Sequence, residues 1–254
     1  MLALLEVRGV RVVFGGIVAL DDLSFEVEPG QVCALIGPNG AGKTTLFNCV
    51  SRVYTPASGT IRFVERDLLA MAPHEVAAAG VARTFQNLAL FPTLTVLENV
   101  MCGAHCESFA GPLRAAFRLG TAREERRLRN DARRLLDRLS LGAYAHRLAA
   151  GLPYGTLKRI EIARALASAP RLLMLDEPAA GLTHAEVDEL ATTVRGLRDE
   201  FDLTVVLVEH HMGMVMGISD NVVVLDLGRK IAEGTPAEVS RNERVIAAYL
   251  GADA

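Results

Sequence analysis

Between an apolar run and a predicted helix, the chain reads Gly37-Pro38-Asn39-Gly40-Ala41-Gly42-Lys43-Thr44-Thr45. This stretch fits the phosphate-loop pattern Gly-x-x-x-x-Gly-Lys-[Ser/Thr]. Its glycines let backbone N–H groups curl around phosphate oxygens, and the start of the following helix adds partial positive charge. Lys43 is expected to reach the β- and γ-phosphates, and the Thr44 hydroxyl is expected to ligate Mg²⁺. The stretch therefore predicts a nucleotide site between a strand and a helix.

The segments around this loop predict an α/β fold with a β-rich start. Three short β segments come first, and buried strands then alternate with helices, which indicates a mainly parallel sheet. The predicted strands are residues 5–8, 10–14, 23–27, 31–36, 59–64, 171–175, 204–208 and 222–225, and the predicted helices begin near residue 42 or cover 121–141 and 184–198.

A second motif places two adjacent carboxylates, Asp176 and Glu177, after the apolar run 171–175. Acids at the carboxyl end of a buried strand lie where open α/β sheets bind their ligands. Asp176 is expected to hold Mg²⁺ through its water shell, and Glu177 to orient or deprotonate an attacking water. The alternative interpretation is a strand that runs into an ordinary acidic turn, since Asp-Glu-Pro turns are common.

With these motifs in this order, the chain resembles ATP-binding cassette (ABC) ATPases over nearly its whole length. The segment Gly151-Leu152-Pro153-Tyr154-Gly155-Thr156-Leu157-Lys158-Arg159 lies before a predicted helix, where the family has its signature sequence, commonly Leu-Ser-Gly-Gly-Gln. Pro153, Tyr154 and Thr156 depart from that sequence, and Gly155 keeps it. The resemblance implies a P-loop NTPase core, an N-terminal antiparallel β subdomain and a helical subdomain at about residues 87–168. It also implies one domain over residues 1–254, with short C-terminal helices at about 236–250.

Further positions match the family's nucleotide site. Gln86 resembles the glutamine that senses Mg²⁺ and the attacking water, and His210 resembles the switch histidine that contacts the γ-phosphate. The adjacent His211 is an alternative for that role. Phe14 matches the aromatic that stacks on adenine, although a strand aromatic is about as often a core residue. The segment 181–183, Gly-Leu-Thr, resembles the loop that crosses the dimer, where the family often has Asp or Asn in place of Thr.

Several stretches resemble the ATPase subunits of branched-chain (hydrophobic) amino acid importers. The length and the segment near residues 101–122 resemble the longer of that importer's two ATPase subunits. Importers of urea and short-chain amides and a lipopolysaccharide exporter use similar ATPases, and some soluble ABC ATPases act without a membrane partner, so these alternatives stay open. The stretches that carry the likeness are Arg83-Thr84-Phe85-Gln86-Asn87, residues 91–100, the Leu-Pro-Tyr-Gly form of the signature, residues 161–166 and 177–182, and the C-terminal residues 233–236 and 248–251.

The resemblance implies ATP and Mg²⁺ as ligands and a set of partner chains. These are two membrane permeases, a second, similar ATPase or a second copy of this chain, and a periplasmic or extracellular binding protein. The resemblance also implies a peripheral location on the cytoplasmic face of the cell membrane. No apolar run approaches the roughly 20 residues of a spanning helix, so another chain would supply the membrane part. Residues 88–100 are the expected docking segment for the permeases.

No nucleic-acid partner is predicted, because the net charge is −3 and the isoelectric point is near 6.1. The local exception is the stretch 114–138, which carries nine arginines against four acids. It could contact lipid headgroups or nucleic acid. The favoured interpretation is the solvated face of a helix, in which Glu124 and Glu125 supply partners at i,i+4 spacing.

Overall fold

The computed structural model describes residues 3–104 and 121–250. An N-terminal antiparallel sheet has four strands in the order β2-β1-β4-β5. They are β1 (Leu5–Phe14), β2 (Ile17–Val27), β4 (Ser58–Phe63) and β5 (Arg66–Asp67). The prediction of separate strands at 5–8 and 10–14 is wrong, because β1 continues through Gly9 (φ 57°) with a shift of register between Val7 and Val10. Strand β2 begins at Ile17, six residues before the predicted start at residue 23, because it pairs with β1 as far as Phe14.

A second sheet has six strands in the order β10-β9-β3-β8-β7-β6, and all neighbours are parallel except β9 and β10. Every residue of β3, β7 and β8 is buried, which explains why these strands read as continuous apolar runs. Strands β6 and β10 were not predicted, because one is short and the other is largely polar. The six are β3 (Val32–Ile36), β6 (Val81–Arg83), β7 (Leu172–Asp176), β8 (Thr204–Val208), β9 (Asn221–Asp226) and β10 (Arg229–Gly234).

Helices cover the parallel sheet. On one side, Leu35 and Val206 pack with Phe47 and the N-terminal sheet. On the other, Leu173 and Leu207 pack with several helices in a second cluster. The helices of the described residues are α1 (Lys43–Val50), α2 (Pro73–Ala78), α3 (Val96–Gly103), α4 (Thr121–Arg138), α5 (Tyr154–Leu166), α6 (His184–Phe201), α7 (Met212–Ile218), α8 (Pro236–Val239) and α9 (Glu243–Leu250). The predicted α/β class, with a mainly parallel sheet and an antiparallel β sheet at the N-terminus, is confirmed.

The arginines of α4 form ion pairs at the surface. Arg129 pairs with Glu125 at 2.9 Å, Arg127 with Asp131 at 3.6 Å, and Arg138 with Glu200 on α6 at 3.0 Å. These contacts fit the interpretation of a solvated helix face. Residues 105–120, and with them most of the segment 101–122 and the first arginines of the stretch, lie outside the described residues. Among the helices that the structure describes, none combines the length and the hydropathy needed to cross a bilayer.

Candidate active site

The predicted phosphate loop connects β3 to α1 at the carboxyl end of the parallel sheet. Two of its glycines lie where no larger residue fits. A Cβ on Gly37 would lie 2.1 Å from the Leu225 carbonyl oxygen, and a Cβ on Gly42 would lie 2.6 Å from the Ala19 carbonyl oxygen. Gly42 also has φ 101° and caps α1 without a side-chain hydrogen bond. The N–H groups at the start of α1 therefore keep their partial positive charge for an anion.

Lys43, the first residue of α1, extends back across the loop. Its Nζ donates hydrogen bonds to the carbonyl oxygens of Gly37 at 2.7 Å and Pro38 at 2.9 Å. Burial lowers the pKa of Lys43, while the carboxylates of Glu177 and Asp176 act in the opposite direction. A largely desolvated ammonium beside an anion-binding loop interacts strongly with phosphate, because the local dielectric constant is low.

Asp176 and Glu177 lie at the end of β7, as predicted from the sequence. Asp176 is buried, and its Oδ2 accepts a hydrogen bond of 2.7 Å from Nη2 of Arg83. Glu177 has φ 49°, in the left-handed region that glutamate seldom adopts. This backbone conformation turns the chain immediately after the strand, so that the two adjacent carboxylates take different partners.

Three residues predicted to act in catalysis meet at the Glu177 carboxylate. Nε2 of Gln86 donates to Oε2 of Glu177 at 2.7 Å. Nε2 of His210 lies 2.9 Å from Oε1 of the same carboxylate. Gln86 comes from the segment after β6, and His210 from the segment after β8. The three parallel strands β6, β7 and β8 are neighbours, which brings these groups to one edge of the sheet.

The structure distinguishes the two adjacent histidines. His210 contacts Glu177, whereas His211 caps α7, its Nδ1 accepting a hydrogen bond from the backbone N–H of Met214 at 3.3 Å. Nε2 of His211 lies 3.3 Å from Nδ1 of His184, at the start of α6. The geometry thus directs His210, and not His211, toward the Glu177 carboxylate.

Glu209 is a residue of this site that the sequence analysis missed. Its buried carboxylate accepts the N–H groups of His210 and His211 through Oε2, at 2.7 and 2.8 Å, and that of Ala179 through Oε1, at 2.7 Å. Glu209 thereby joins the histidine segment to the segment that follows Glu177. A glutamate directly after the buried strand β8 was the available signal, because such a residue is buried only when its oxygens are satisfied.

Comparison with known families agrees with this geometry. A family described as "ABC transporter" matches residues 20–180 of the chain. These residues include the phosphate loop, Gln86, the signature segment and Glu177. The chain belongs to the ABC transporter family. The prediction of an ABC ATPase is thereby confirmed. A second family, "Branched-chain amino acid ATP-binding cassette transporter", matches residues 229–254 of the cassette.

Two curated relatives and one solved structure resemble the cassette along its whole length. The high-affinity branched-chain amino acid transport ATP-binding protein BraF of Pseudomonas aeruginosa is 43% identical, over 98% of both chains. The corresponding protein LivG of Escherichia coli is 41% identical, also over 98% of both. Among solved structures, the ADP conformation of MJ1267, an ATP-binding cassette of an ABC transporter, is similar with a TM-score of 0.87 and 30% identity, covering 99% of this chain and 100% of the other.

The signature segment of the cassette lies at the start of α5. Pro153 is the N-cap residue of α5, and its side chain accepts no hydrogen bond from the first N–H groups of the helix. A Cβ on Gly155 would lie 2.7 Å from Oε1 of Glu186, and a Cβ on Gly181 would lie 3.2 Å from the Tyr154 ring. Thr156 is buried. The signature segment therefore lies close to the segment after Glu177 and to the start of α6.

Thr183 caps the start of α6. Its hydroxyl accepts the N–H of Glu186, and Glu186 in turn accepts the Thr183 N–H at 2.9 Å, which forms a capping box at the start of α6. The hydrogen bonds from the backbone and side chain of Thr183 lower the pKa of Glu186. Threonine, like the Asp or Asn that the family often has here, is a favoured N-cap residue.

Phe14 lies at the tip of the β1–β2 hairpin and is 43% exposed, so the alternative interpretation as a core residue is wrong. Its ring meets that of Tyr54 edge-on, with centroids 5.0 Å apart. Tyr54, which the sequence analysis did not consider, is also partly exposed. The pair presents aromatic surface suited to stacking with a planar base.

Proposed function

We propose that this chain is the ATP-binding and ATP-hydrolysing subunit of a membrane importer for branched-chain or other hydrophobic amino acids. The observation that carries the proposal is the likeness to BraF over 98% of both chains. The match of residues 229–254 to the branched-chain amino acid cassette family also supports it.

The described residues fit MgATP. The phosphate loop packs closely on the chain only because Gly37 and Gly42 carry no Cβ. The hydroxyl of Thr44 and the carboxylate of Asp176 are the oxygen ligands that Mg²⁺ prefers. When bound, Mg²⁺ neutralises charge on the β- and γ-phosphates. In this proposal the loop binds the phosphates, Phe14 stacks on adenine, and Gln86 is a further group near the metal. The phosphate-binding residues are Gly37, Pro38, Asn39, Gly40, Ala41, Gly42, Lys43, Thr44 and Thr45.

Glu177 orients the attacking water and accepts its proton. Its two carboxylate oxygens are held by Gln86 and His210, at 2.7 and 2.9 Å. A base fixed in this way contributes to the rate because it is already aligned when water reaches the γ-phosphate. Lys43 stabilises the charge on the phosphates, and the switch residue His210 contacts the γ-phosphate once ATP binds.

A second cassette completes each site. Pro153, Tyr154, Gly155 and Thr156 of one chain close over the ATP held by the other, through the N–H groups at the start of α5. ATP favours the closed dimer because it binds that state more tightly than the open one, and hydrolysis releases it. The second cassette is a similar ATPase or a second copy of this chain.

The assembly includes two permeases and a binding protein, with this chain on the cytoplasmic face of the membrane. Residues 1–254 form one ABC ATPase domain, whose helical part, near residues 87–168, meets the permeases. No nucleic acid takes part in this cycle.

A pull-down from native membranes tests the proposal. Tagged Glu177→Gln protein is incubated with ATP and Mg²⁺ to hold the closed dimer, and bound chains are identified by mass spectrometry. Lys43→Ala is the matched control, since it lacks the cation that binds phosphate. Two permeases and a second cassette, recovered with Glu177→Gln alone, would support the transporter.

The substrate is then tested with the purified complex in proteoliposomes. ATP-dependent uptake of leucine, with no uptake of urea, would support the amino acid importer. Uptake of urea alone, or recovery of only soluble chains in the pull-down, would contradict it.

A further inference from the structure

Arg83 contacts Asp176 of the nucleotide site, although no motif in the sequence predicts a role for it. It is the last residue of β6 and lies opposite Met174 of the neighbouring strand β7, two residues before Asp176. We propose that Arg83 is a positioning residue, which holds the Asp176 carboxylate in the orientation that receives Mg²⁺ with ATP. This inference rests on the proposed function of the site.

The ion pair between Arg83 and Asp176 is almost completely buried. Nη2 of Arg83 lies 2.7 Å from Oδ2 of Asp176, and the two side chains are 8% and 2% exposed. A buried pair of this kind orients its members strongly, because any other arrangement leaves an uncompensated charge away from water. Arg83 occupies Oδ2, one of the two oxygens through which Asp176 can bind.

Other contacts fix the guanidinium independently of Asp176. Nη1 donates to Oδ1 of Asn48 on α1 at 2.8 Å and to Oγ of Ser51, the residue after α1, at 3.3 Å. The guanidinium carbon lies 5.3 Å from the centroid of the Phe47 ring and 5.1 Å from that of Phe85. Arg83 is therefore anchored to the helix that starts at the phosphate loop and to the residue before Gln86.

A cation beside Asp176 could have either of two roles, which predict opposite effects on Mg²⁺ binding. A counter-ion alone would repel a second cation, so its removal would strengthen Mg²⁺ binding. A positioning residue fixes the ligand geometry, so its removal would weaken Mg²⁺ binding. Because four groups besides Asp176 hold the guanidinium in place, we expect the orienting effect to exceed the repulsion.

Titration of a fluorescent ATP analogue with Arg83→Gln tests this inference without relying on turnover. In Arg83→Gln, the Mg²⁺ concentration that gives half of the binding change is expected to rise by about tenfold, the typical effect of removing a group that orients a metal ligand. Binding of the analogue in EDTA is expected to stay unchanged, since the phosphate loop is intact. Arg138→Gln, which breaks a surface ion pair on α4, is the control and should leave both values unchanged.

Two milder variants keep the test decisive if Arg83→Gln does not fold. Arg83→Lys retains the charge but not the forked geometry, and should fall between the wild type and Arg83→Gln. Asn48→Ala removes one anchor and leaves the ion pair, and should raise the Mg²⁺ requirement less. An unchanged or lower Mg²⁺ requirement in folded variants would overturn the inference. Wild-type protein that binds the analogue without any effect of Mg²⁺ would instead contradict the proposed function.

Discussion

The side-chain amide of Gln86 donates a 2.7 Å hydrogen bond to Oε2 of Glu177, 91 residues away in the chain. His210 lies against the other oxygen of that carboxylate at 2.9 Å. Both partners lie in segments that follow strands adjacent to β7. The Glu177 carboxylate therefore contacts both of these segments directly.

Replacing Glu177 by Gln should lower the rate of ATP hydrolysis by roughly 10²–10⁴-fold, because the amide cannot accept the proton of the attacking water. ATP binding should be retained, since the phosphate loop and Asp176 are unchanged. Phosphate release and nucleotide binding measure the two effects. Glu200→Gln, which changes a carboxylate on α6 that pairs with Arg138, is the control. Near-normal turnover in Glu177→Gln would remove Glu177 from its role.

The two histidines should respond differently to alanine substitution. His210→Ala should reduce kcat by roughly 10²-fold, because Glu177 loses one of the groups that orient it. His211→Ala should leave kcat nearly unchanged and lower the free energy of unfolding by about 1 kcal/mol, the typical cost of losing a helix N-cap. Steady-state kinetics and urea unfolding of both variants provide the comparison. The reverse pattern would assign the switch role to His211.

Phe14→Ala should weaken ATP binding by about fivefold, since an aromatic pair contributes about 1 kcal/mol. Because the ring is at the hairpin tip and partly exposed, we expect little change in stability. Ile17→Ala is a matched control, because Ile17 pairs with Phe14 on the same hairpin and is 73% exposed. Equal effects of the two substitutions on nucleotide affinity would argue against stacking by Phe14.

The buried carboxyl of Glu161 on α5 should make stability depend on pH. Burial raises the pKa of Glu161, although the Phe85 N–H, Lys158 and Arg164 act in the opposite direction. The folded state therefore binds the proton more tightly than the unfolded state. The contribution of Glu161 to the free energy of unfolding is fully present at pH values below its ordinary pKa of 4.5. It is lost as the pH rises through the raised pKa of the folded state.

Comparison with Glu161→Gln isolates this contribution, because glutamine has the same shape and does not ionise in this range. The difference in unfolding free energy, wild type minus variant, should fall as the pH rises above about 4.5. Urea unfolding of both proteins at a series of pH values measures it. A difference that grows with pH would show that the Lys158 ion pair outweighs the cost of burial.

Local chemistry explains why much of this molecule could be predicted from the sequence. The phosphate loop needs glycine at positions 37 and 42, because a Cβ there would collide with backbone atoms. Lys43 follows directly in the chain, so the whole motif is visible in the sequence. Strands β3, β7 and β8 are buried on both faces, so each appears as an apolar run. The carboxylates of Asp176 and Glu177 follow such a run directly. The phosphate loop, the buried strands and the acidic pair could therefore be predicted, because each depends only on residues that are adjacent in sequence.

Contacts between distant segments were decided only by the tertiary structure. The order β8-β7-β6 brings Gln86 and His210 to Glu177, and no local pattern states which strands are neighbours. The choice of His210 over His211, and the roles of Glu209 and Arg83, follow from the same arrangement, because buried charged groups are satisfied by partners from other strands and helices. The sequence alone thus determined the chemistry available to this cassette, and the packing of the sheet determined which groups act on one another.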